Sequence, residues 1–161
     1  MTAPLTLPAR VLDRELAARR LLDHLLCSRP ELVARAFTIA RGPGGRGWLS
    51  VAETLHANAW LIAWNPGSRV GSHDHGGSHG VLHVLRGELV ESFCEPALGR
   101  TPQCRSLAAG ATIAVPPSRV HDVANDADAA AFSLHVYSPA LTTMSFYPSL
   151  ATVPAGNVES A

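Results

Sequence analysis

The sequence carries little charge and no excess of either sign. Only 16% of the residues are charged, and 13 basic and 13 acidic side chains give a formal net charge of zero. No run of basic residues is present, although a surface that binds nucleic acid or an anionic membrane would need one. Neither nucleic acid nor membrane is therefore expected as a partner.

Long apolar runs and paired cysteines are missing as well. No stretch of about 18 apolar residues is available to span a membrane, and the N-terminus MTAPLTLPAR lacks the pattern of a signal peptide. Cys27, Cys94 and Cys104 are odd in number and show no CxxC spacing. Free thiols of this kind are typical of a reducing compartment, so we predict a cytoplasmic protein.

The length and apolar content fit one folded unit. At 161 residues and 47% hydrophobic composition, the chain can bury a sizeable core. We therefore predict a single domain over residues 1–161. Its predicted parts are an N-terminal helical segment (1–47), a barrel (48–148) and a flexible tail (149–161).

The N-terminal segment shows helical signals. Apolar residues recur at near-helical spacing over residues 10–27, which predicts an amphipathic helix. Pro30 can open a second short helix over 31–36, because proline is tolerated in a first turn. The glycine-rich stretch Arg41–Gly47 predicts a loop.

Beyond residue 47 the pattern changes to short apolar or alternating runs separated by turn residues. Many short strands at even spacing favour an all-β sandwich or barrel. The predicted strands are Trp48–Ala52, Ala59–Trp64, Gly80–Leu85, Glu88–Cys94, Thr112–Val115 and Ala131–Tyr137.

Two of the eight histidines, His73 and His75, stand one residue apart. In a strand, alternate side chains share a face, so this pair can direct two imidazoles at one point while Asp74 faces elsewhere. Taken alone, the triplet fits an exposed surface loop equally well.

The spacing around these histidines resembles the two motifs of the cupin family. The first, G-x5-H-x-H-x3–4-E-x6-G, matches at Gly67, His73, His75 and Gly87; the second, G-x5-P-x-G-x2-H-x3-N, matches at Gly110, Pro116, His121 and Asn125. The resemblance implies an all-β cupin (jelly-roll) β-barrel with one mononuclear metal on His73, His75 and His121. Ser118 replaces the glycine of the second motif, and Gly80 replaces the glutamate of the first.

Loss of the glutamate changes the expected metal chemistry. Three neutral imidazoles leave the full charge of a divalent ion uncompensated and leave about three octahedral positions open. Such a site suits an anionic chelating substrate and dioxygen on Fe(II), although zinc or nickel would also bind.

The segments SLHVYSP and HDHGGSHGVLHVLRGELVES are similar to cysteine dioxygenase, and the resemblance extends over roughly residues 60–147. It implies a relay of Ser133, His135 and Tyr137, which strand alternation places on one face, with the Tyr137 hydroxyl near substrate and oxygen. It also implies that Met144 lines the pocket. Gly80 stands where animal members have a cysteine that crosslinks to the tyrosine, so the site resembles the bacterial type.

Family members hold the substrate carboxylate with an arginine near a Tyr-x-Arg upstream of the histidine pair. Arg46 lies at nearly that distance, one residue out of step and without the tyrosine. A guanidinium fork is a natural carboxylate partner, so Arg46 is the predicted anchor, with Arg41 and Arg69 as lesser candidates. The alternative is that Arg46 is a solvated charge in a glycine-rich loop.

The resemblance implies an Fe(II) thiol dioxygenase that oxidises L-cysteine with O2 to cysteine sulfinic acid. The expected partners are a small thiol and O2, in a monomer or weak homo-oligomer. One alternative is a dioxygenase of another thiol acid such as 3-mercaptopropionate. Another is a non-catalytic cupin that binds a metal or small molecule. A zinc or manganese cupin isomerase is disfavoured because the glutamate is absent.

Overall fold

The computed structural model describes residues 9–96, 99 and 101–153. In these residues two helices precede eight strands. The helices are α1 (Ala9–Leu26) and α2 (Arg29–Thr38); the strands are β1 (Arg46–Glu53), β2 (Asn58–Trp64), β3 (His79–Arg86), β4 (Glu88–Cys94), β5 (Gln103–Ala108), β6 (Thr112–Val115), β7 (Val120–Ala124) and β8 (Ala131–Ser138).

The strands form two antiparallel sheets that share one apolar interior. The larger sheet has the order β1-β2-β8-β3-β6 and the smaller has the order β5-β4-β7. Leu82 and Val84 of the larger sheet pack in one buried cluster with Leu89, Leu107 and Val123 of the smaller sheet. Burial of apolar side chains between the sheets therefore holds the two layers together. This architecture confirms the predicted all-β fold with short N-terminal helices.

The helices cover the outer face of the larger sheet. Ala18 and Leu22 of α1 and Leu32 and Ala36 of α2 are buried against apolar residues of β2, β3 and β8. Alternation along β3 explains this arrangement, because Val81 and its neighbours of the same parity face the helices while Leu82 and Val84 face the interior. The inner face is thus left free to build a site.

The predicted loop over Arg41–Gly47 is wrong at its end, because β1 already begins at Arg46 and pairs it with Trp64. Glycine is required at position 47 by close packing and not by a turn. A Cβ on Gly47 would lie 2.0 Å from the carbonyl oxygen of Ala40, so only glycine permits this close backbone approach.

Strands β5 and β7 were not among the predicted strands. They form the two edges of the smaller sheet. β5 is largely exposed, and β7 (VHDVA) carries polar residues although all five of its positions are buried. Neither strand therefore shows the apolar alternation by which strands are recognised in a sequence.

The end of the barrel is followed by a short ordered segment. Leu150–Thr152 form one turn of 3-10 helix, and the Leu150 carbonyl accepts a hydrogen bond from the Cys94 thiol at 3.8 Å. The rest of the predicted flexible tail, from residue 154, lies outside the described residues. Neither helix of the described chain is long and apolar enough to cross a membrane.

Candidate metal centre

His73 and His121 are brought together by a direct backbone pairing. The amide of His73 donates to the His121 carbonyl at 2.8 Å, and the amide of His121 donates to the His73 carbonyl at 2.9 Å. Residues paired in this antiparallel way carry their side chains on the same face. His73 lies outside the regular strands, in the connection between β2 and β3, where it forms an isolated bridge and is buried rather than exposed.

His75 completes a cluster of three buried imidazoles. One ring nitrogen from each of His73, His75 and His121 lies within 4.8 Å of the other two. The Nε2 atoms of His75 and His121 are 3.1 Å apart. Two imidazole nitrogens bound at about 2.1 Å to one ion, at right angles, would be about 3 Å apart. The spacing therefore fits one shared cation.

Hydrogen bonds determine which nitrogen of two of these imidazoles is free. His73 Nδ1 donates to the Gly71 carbonyl oxygen at 2.8 Å, and His121 Nδ1 donates to the Glu91 carboxylate at 2.8 Å. Because each Nδ1 carries the proton, each Nε2 presents its lone pair to the centre of the cluster. This arrangement is typical of metal-binding histidines.

The three imidazoles are held in the neutral form that a ligand requires. Burial and the neighbouring His121 and His73 lower the pKa of His75 to about 2. Burial likewise lowers the pKa of His73, and burial with nearby His73 and Arg119 lowers the pKa of His121 far below its usual range. Protons therefore do not compete with a metal at physiological pH.

Gly80, at the position of the missing glutamate, lies directly opposite Tyr137 in the β3–β8 pairing. A Cβ at Gly80 would be 3.1 Å from Nδ1 of His75. The group that could hold a metal among the described residues consists of three histidines without a carboxylate. The absence of a side chain at Gly80 thus leaves room for the His75 ring and for a site with open positions.

The connection that carries the histidine pair is anchored by Asp74. Its carboxylate accepts hydrogen bonds from the Tyr147 hydroxyl at 2.7 Å, the Gly76 amide at 2.9 Å and the Ser145 amide at 3.3 Å. These donors lower the pKa of Asp74, and the bond to Asp74 raises the pKa of Tyr147 to about 12. Asp74 therefore orients the connection and faces away from the metal ligands.

The predicted relay is present on β8. Ser133 Oγ lies 2.9 Å from His135 Nε2, and His135 Nδ1 lies 3.3 Å from the Tyr137 hydroxyl. Burial with the nearby His121 and His73 lowers the pKa of His135 to about 3, and burial raises the pKa of Tyr137. Both groups are therefore neutral at physiological pH.

Trp64 extends this relay at its buried end. Its indole Nε1, which can only donate, contacts Ser133 Oγ at 2.8 Å. When Ser133 donates to His135 and His135 donates to Tyr137, the donors of Trp64, Ser133 and His135 all have acceptors. The Tyr137 hydroxyl then accepts from His135, and its own proton is free for donation into the site. The sequence analysis placed Trp64 only at the end of a predicted strand.

A cavity of about 300 Å³ opens beside the histidine cluster. Eight apolar side chains line it, including Trp48, Trp60, Met144 and Phe146. The polar lining comes from Arg46, His73, His121, His135 and Tyr137. The predicted metal, relay and substrate-binding residues thus meet at this cavity, except that Ser133 lies behind His135 and His75 is not among the lining residues.

Arg46 is the arginine that reaches this cavity. Its Nε is buried without a hydrogen-bond partner, and its guanidinium lies 5.6 Å from the centre of the Trp64 ring. It forms no ion pair within the described part of the chain, and burial lowers its pKa. Arg41 and Arg69 do not line the cavity; Arg41 donates to the Ile39 carbonyl, and Arg69 pairs with Asp122.

Glu91 is a site residue that the sequence analysis missed. It lies on β4, is fully buried and accepts from the Nδ1 of His121. Its position in the strand could have revealed it, because Glu91 shares a face of β4 with the buried Leu89. A carboxylate in an inward position of a strand is rarely found without a partner.

Solved structures show the same fold. The protein TT1209 from Thermus thermophilus matches with a TM-score of 0.55 and 28% identity over 64% of this chain and 92% of that chain. A cupin superfamily protein from Desulfitobacterium hafniense matches with a TM-score of 0.52 and 18% identity, covering 64% and 85%. An oxalate oxidase in complex with the substrate analogue glycolate gives a TM-score of 0.58 and 21% identity, covering 66% of this chain and 57% of that chain.

Sequence comparison identifies the family. No curated protein sequence matches significantly. The sequence profile of cysteine dioxygenase type I matches residues 42–149, which is more than half of the chain. The matched region contains the three histidines, the relay and Arg46. This chain therefore belongs to the cysteine dioxygenase type I family.

Proposed function

We propose that this protein is an iron-dependent thiol dioxygenase that converts L-cysteine and O2 to cysteine sulfinic acid. The observation that carries the proposal is the meeting of three features beside one cavity of the described residues: three neutral imidazoles without a carboxylate, a guanidinium without an ion pair, and a phenol at the end of a hydrogen-bonded relay. Family membership supports the same reaction class. The proposed partners are the small thiol and O2, in the cytoplasm.

The metal that these residues fit is Fe(II), held by the Nε2 atoms of His73 and His121 and by His75. When bound, it would supply the electron transfer that allows O2 to react with a thiolate. Both oxygen atoms end on sulfur, so the thiol becomes a sulfinic acid and no other reductant is required.

The side chains around the cavity have separate tasks. Arg46 binds and orients the substrate carboxylate through its fork of N–H donors. Tyr137 donates its hydroxyl proton to the substrate or the reacting oxygen, and Trp64, Ser133 and His135 hold that hydroxyl in orientation. The apolar wall excludes water and so strengthens these polar contacts.

Replacing Arg46 with methionine tests the carboxylate anchor. Loss of a charge-assisted hydrogen bond of about 1.5–3 kcal/mol should raise KM by roughly 10–100-fold, with a smaller change in kcat. Steady-state oxygen consumption measures both constants. Arg41→Met is the matched control, because Arg41 bonds to backbone carbonyls outside the cavity. Equal KM values for the two variants would contradict the assignment.

A second thiol acid, 3-mercaptopropionate, is favoured by one observation. None of the described residues that line the cavity is acidic, so the wall offers no carboxylate to the ammonium group of cysteine. A thiol acid without an amine avoids the cost of placing that unpaired charge in an apolar cavity.

Oxygen uptake by the iron-loaded protein with a panel of thiols separates these functions. Cysteine and 3-mercaptopropionate are compared with cysteamine, which lacks the carboxylate. Faster turnover of cysteine supports the first substrate, and faster turnover of 3-mercaptopropionate supports the second. Oxidation of cysteamine at an equal rate contradicts the role of Arg46, and absence of turnover with all three supports a non-catalytic metal-binding cupin.

A further inference from the structure

Glu91 lies behind the metal centre as a fully buried carboxylate. Its side chain has 0% exposure, and it reaches across the smaller sheet from β4 to His121 on β7. The contact joins Glu91 Oε1 to His121 Nδ1 at 2.8 Å. The metal-facing Nε2 is the other nitrogen of the same ring, so Glu91 acts on the site through His121 without touching the cavity.

Two arginines hold this carboxylate in place. Arg105 on β5 donates from Nε to Glu91 Oε2 at 2.6 Å, and Arg119 Nη1 lies 3.8 Å from Oε1. Both guanidinium groups also stack on the ring of Phe93, at 4.8 Å and 4.5 Å from its centre. The arginines therefore balance the charge of Glu91 and fix its position, while Oε1 remains available to His121.

We propose that Glu91 is a positioning residue of the metal centre, which fixes the Nδ1–H tautomer of His121 and strengthens Nε2 as a ligand. A carboxylate behind a ligating imidazole raises the basicity of the ligand, and loss of such a partner typically weakens metal binding by 10–100-fold. The inference rests on the metal centre of the proposed function but not on its substrate.

Glu95 offers a matched comparison. It is also a glutamate at the end of the β4 region and pairs with the same Arg119, but it does not contact His121. A purely structural role of the ion pairs predicts similar consequences for Glu91→Gln and Glu95→Gln. A positioning role predicts that Glu91→Gln changes the affinity for the metal and that Glu95→Gln does not.

Cobalt(II) is a suitable probe because it reports binding without turnover. Titration of the full-length apo-protein with cobalt(II) gives the affinity, and the visible absorption bands report the ligand field. We expect Glu91→Gln to bind cobalt about 10–100-fold more weakly, with shifted bands, because a glutamine amide can donate to Nδ1 and favour the wrong tautomer. Glu95→Gln should keep the wild-type affinity and spectrum.

Equal loss of affinity in both variants, or no loss in either, would overturn the proposal. Thermal unfolding of the apo-proteins shows whether each variant folds. If Glu91→Gln does not fold, Arg105→Met decides the question, because Arg105 is partly exposed and holds only the distal oxygen of Glu91. Shifted cobalt bands in Arg105→Met support the proposal, and an unchanged spectrum and affinity contradict it.

The same samples distinguish this inference from the proposed function. Wild-type protein that binds cobalt through its histidines but oxidises no thiol when loaded with iron would contradict the dioxygenase proposal alone. Normal thiol oxidation together with unchanged metal affinity in Glu91→Gln would contradict the positioning role alone.

Discussion

Replacing His121 with alanine is expected to abolish metal binding and thiol oxidation together. His121 is one of the three candidate ligands among the described residues, and its Nε2 lies 3.1 Å from that of His75. Loss of a hydrogen-bond partner behind a ligand weakens metal binding by up to roughly 100-fold. Loss of the ligand itself should therefore weaken metal binding by more than that. Metal content after dialysis measures the loss of metal binding, and oxygen uptake measures the loss of thiol oxidation. Removal of iron from the wild type with a chelator should also abolish oxygen uptake.

His24→Ala is the control for this experiment. His24 is exposed near the end of α1, so its removal should change neither metal content nor turnover. A His121→Ala protein that keeps stoichiometric iron would contradict the three-histidine centre. The variant also leaves Glu91 without its imidazole partner, so its folded state must be checked by thermal unfolding.

Replacing Tyr137 with phenylalanine is expected to lower kcat by roughly 100-fold or more while iron content stays unchanged. Loss of one preorganised hydrogen-bond donor to charge that develops in the transition state typically costs 10²–10³-fold in kcat. Burial raises the pKa of Tyr137, so its hydroxyl stays protonated as such a donor. The variant leaves the buried Nδ1 of His135 without its partner and should be destabilised by about 1–3 kcal/mol. Oxygen uptake, iron content and thermal unfolding separate these effects.

Tyr147→Phe provides the comparison, since Tyr147 is the other tyrosine of the chain. Its hydroxyl binds Asp74 and anchors the connection that carries the histidine pair. We therefore expect Tyr147→Phe to be less stable or to retain less iron, with kcat per bound iron close to that of the wild type. Full turnover in Tyr137→Phe would contradict the relay.

Much of the fold could be predicted because local patterns and tertiary packing agree there. The apolar spacing of α1 matches the face buried on the larger sheet. β3 and β8 lie together inside that sheet and are buried on both faces, and their short apolar or alternating runs were recognisable as strands. The edge strands β5 and β7 could not be recognised, because their polar residues bind partners that are distant in sequence.

Much of the candidate site could also be predicted from the sequence. The histidine ligands follow from motif spacing, and Ser133, His135 and Tyr137 follow from strand alternation and resemblance. Trp64 and Glu91 were missed as site residues because each acts through a contact with a neighbouring strand of its own sheet, Trp64 with Ser133 and Glu91 with His121. Hydrogen bonds between residues far apart in sequence leave no periodic signal along the chain.

The sequence by itself determined the fold class, the three candidate ligands and the absence of a glutamate at Gly80, because residue type and motif spacing carry this information. Only the tertiary structure decided that Arg46 rather than Arg41 or Arg69 reaches the cavity. It also decided which nitrogen of His73 and His121 is free and that Trp64 joins the relay through Ser133. These properties depend on distances of a few ångströms between separate strands, and such distances exist only once the sheets have packed.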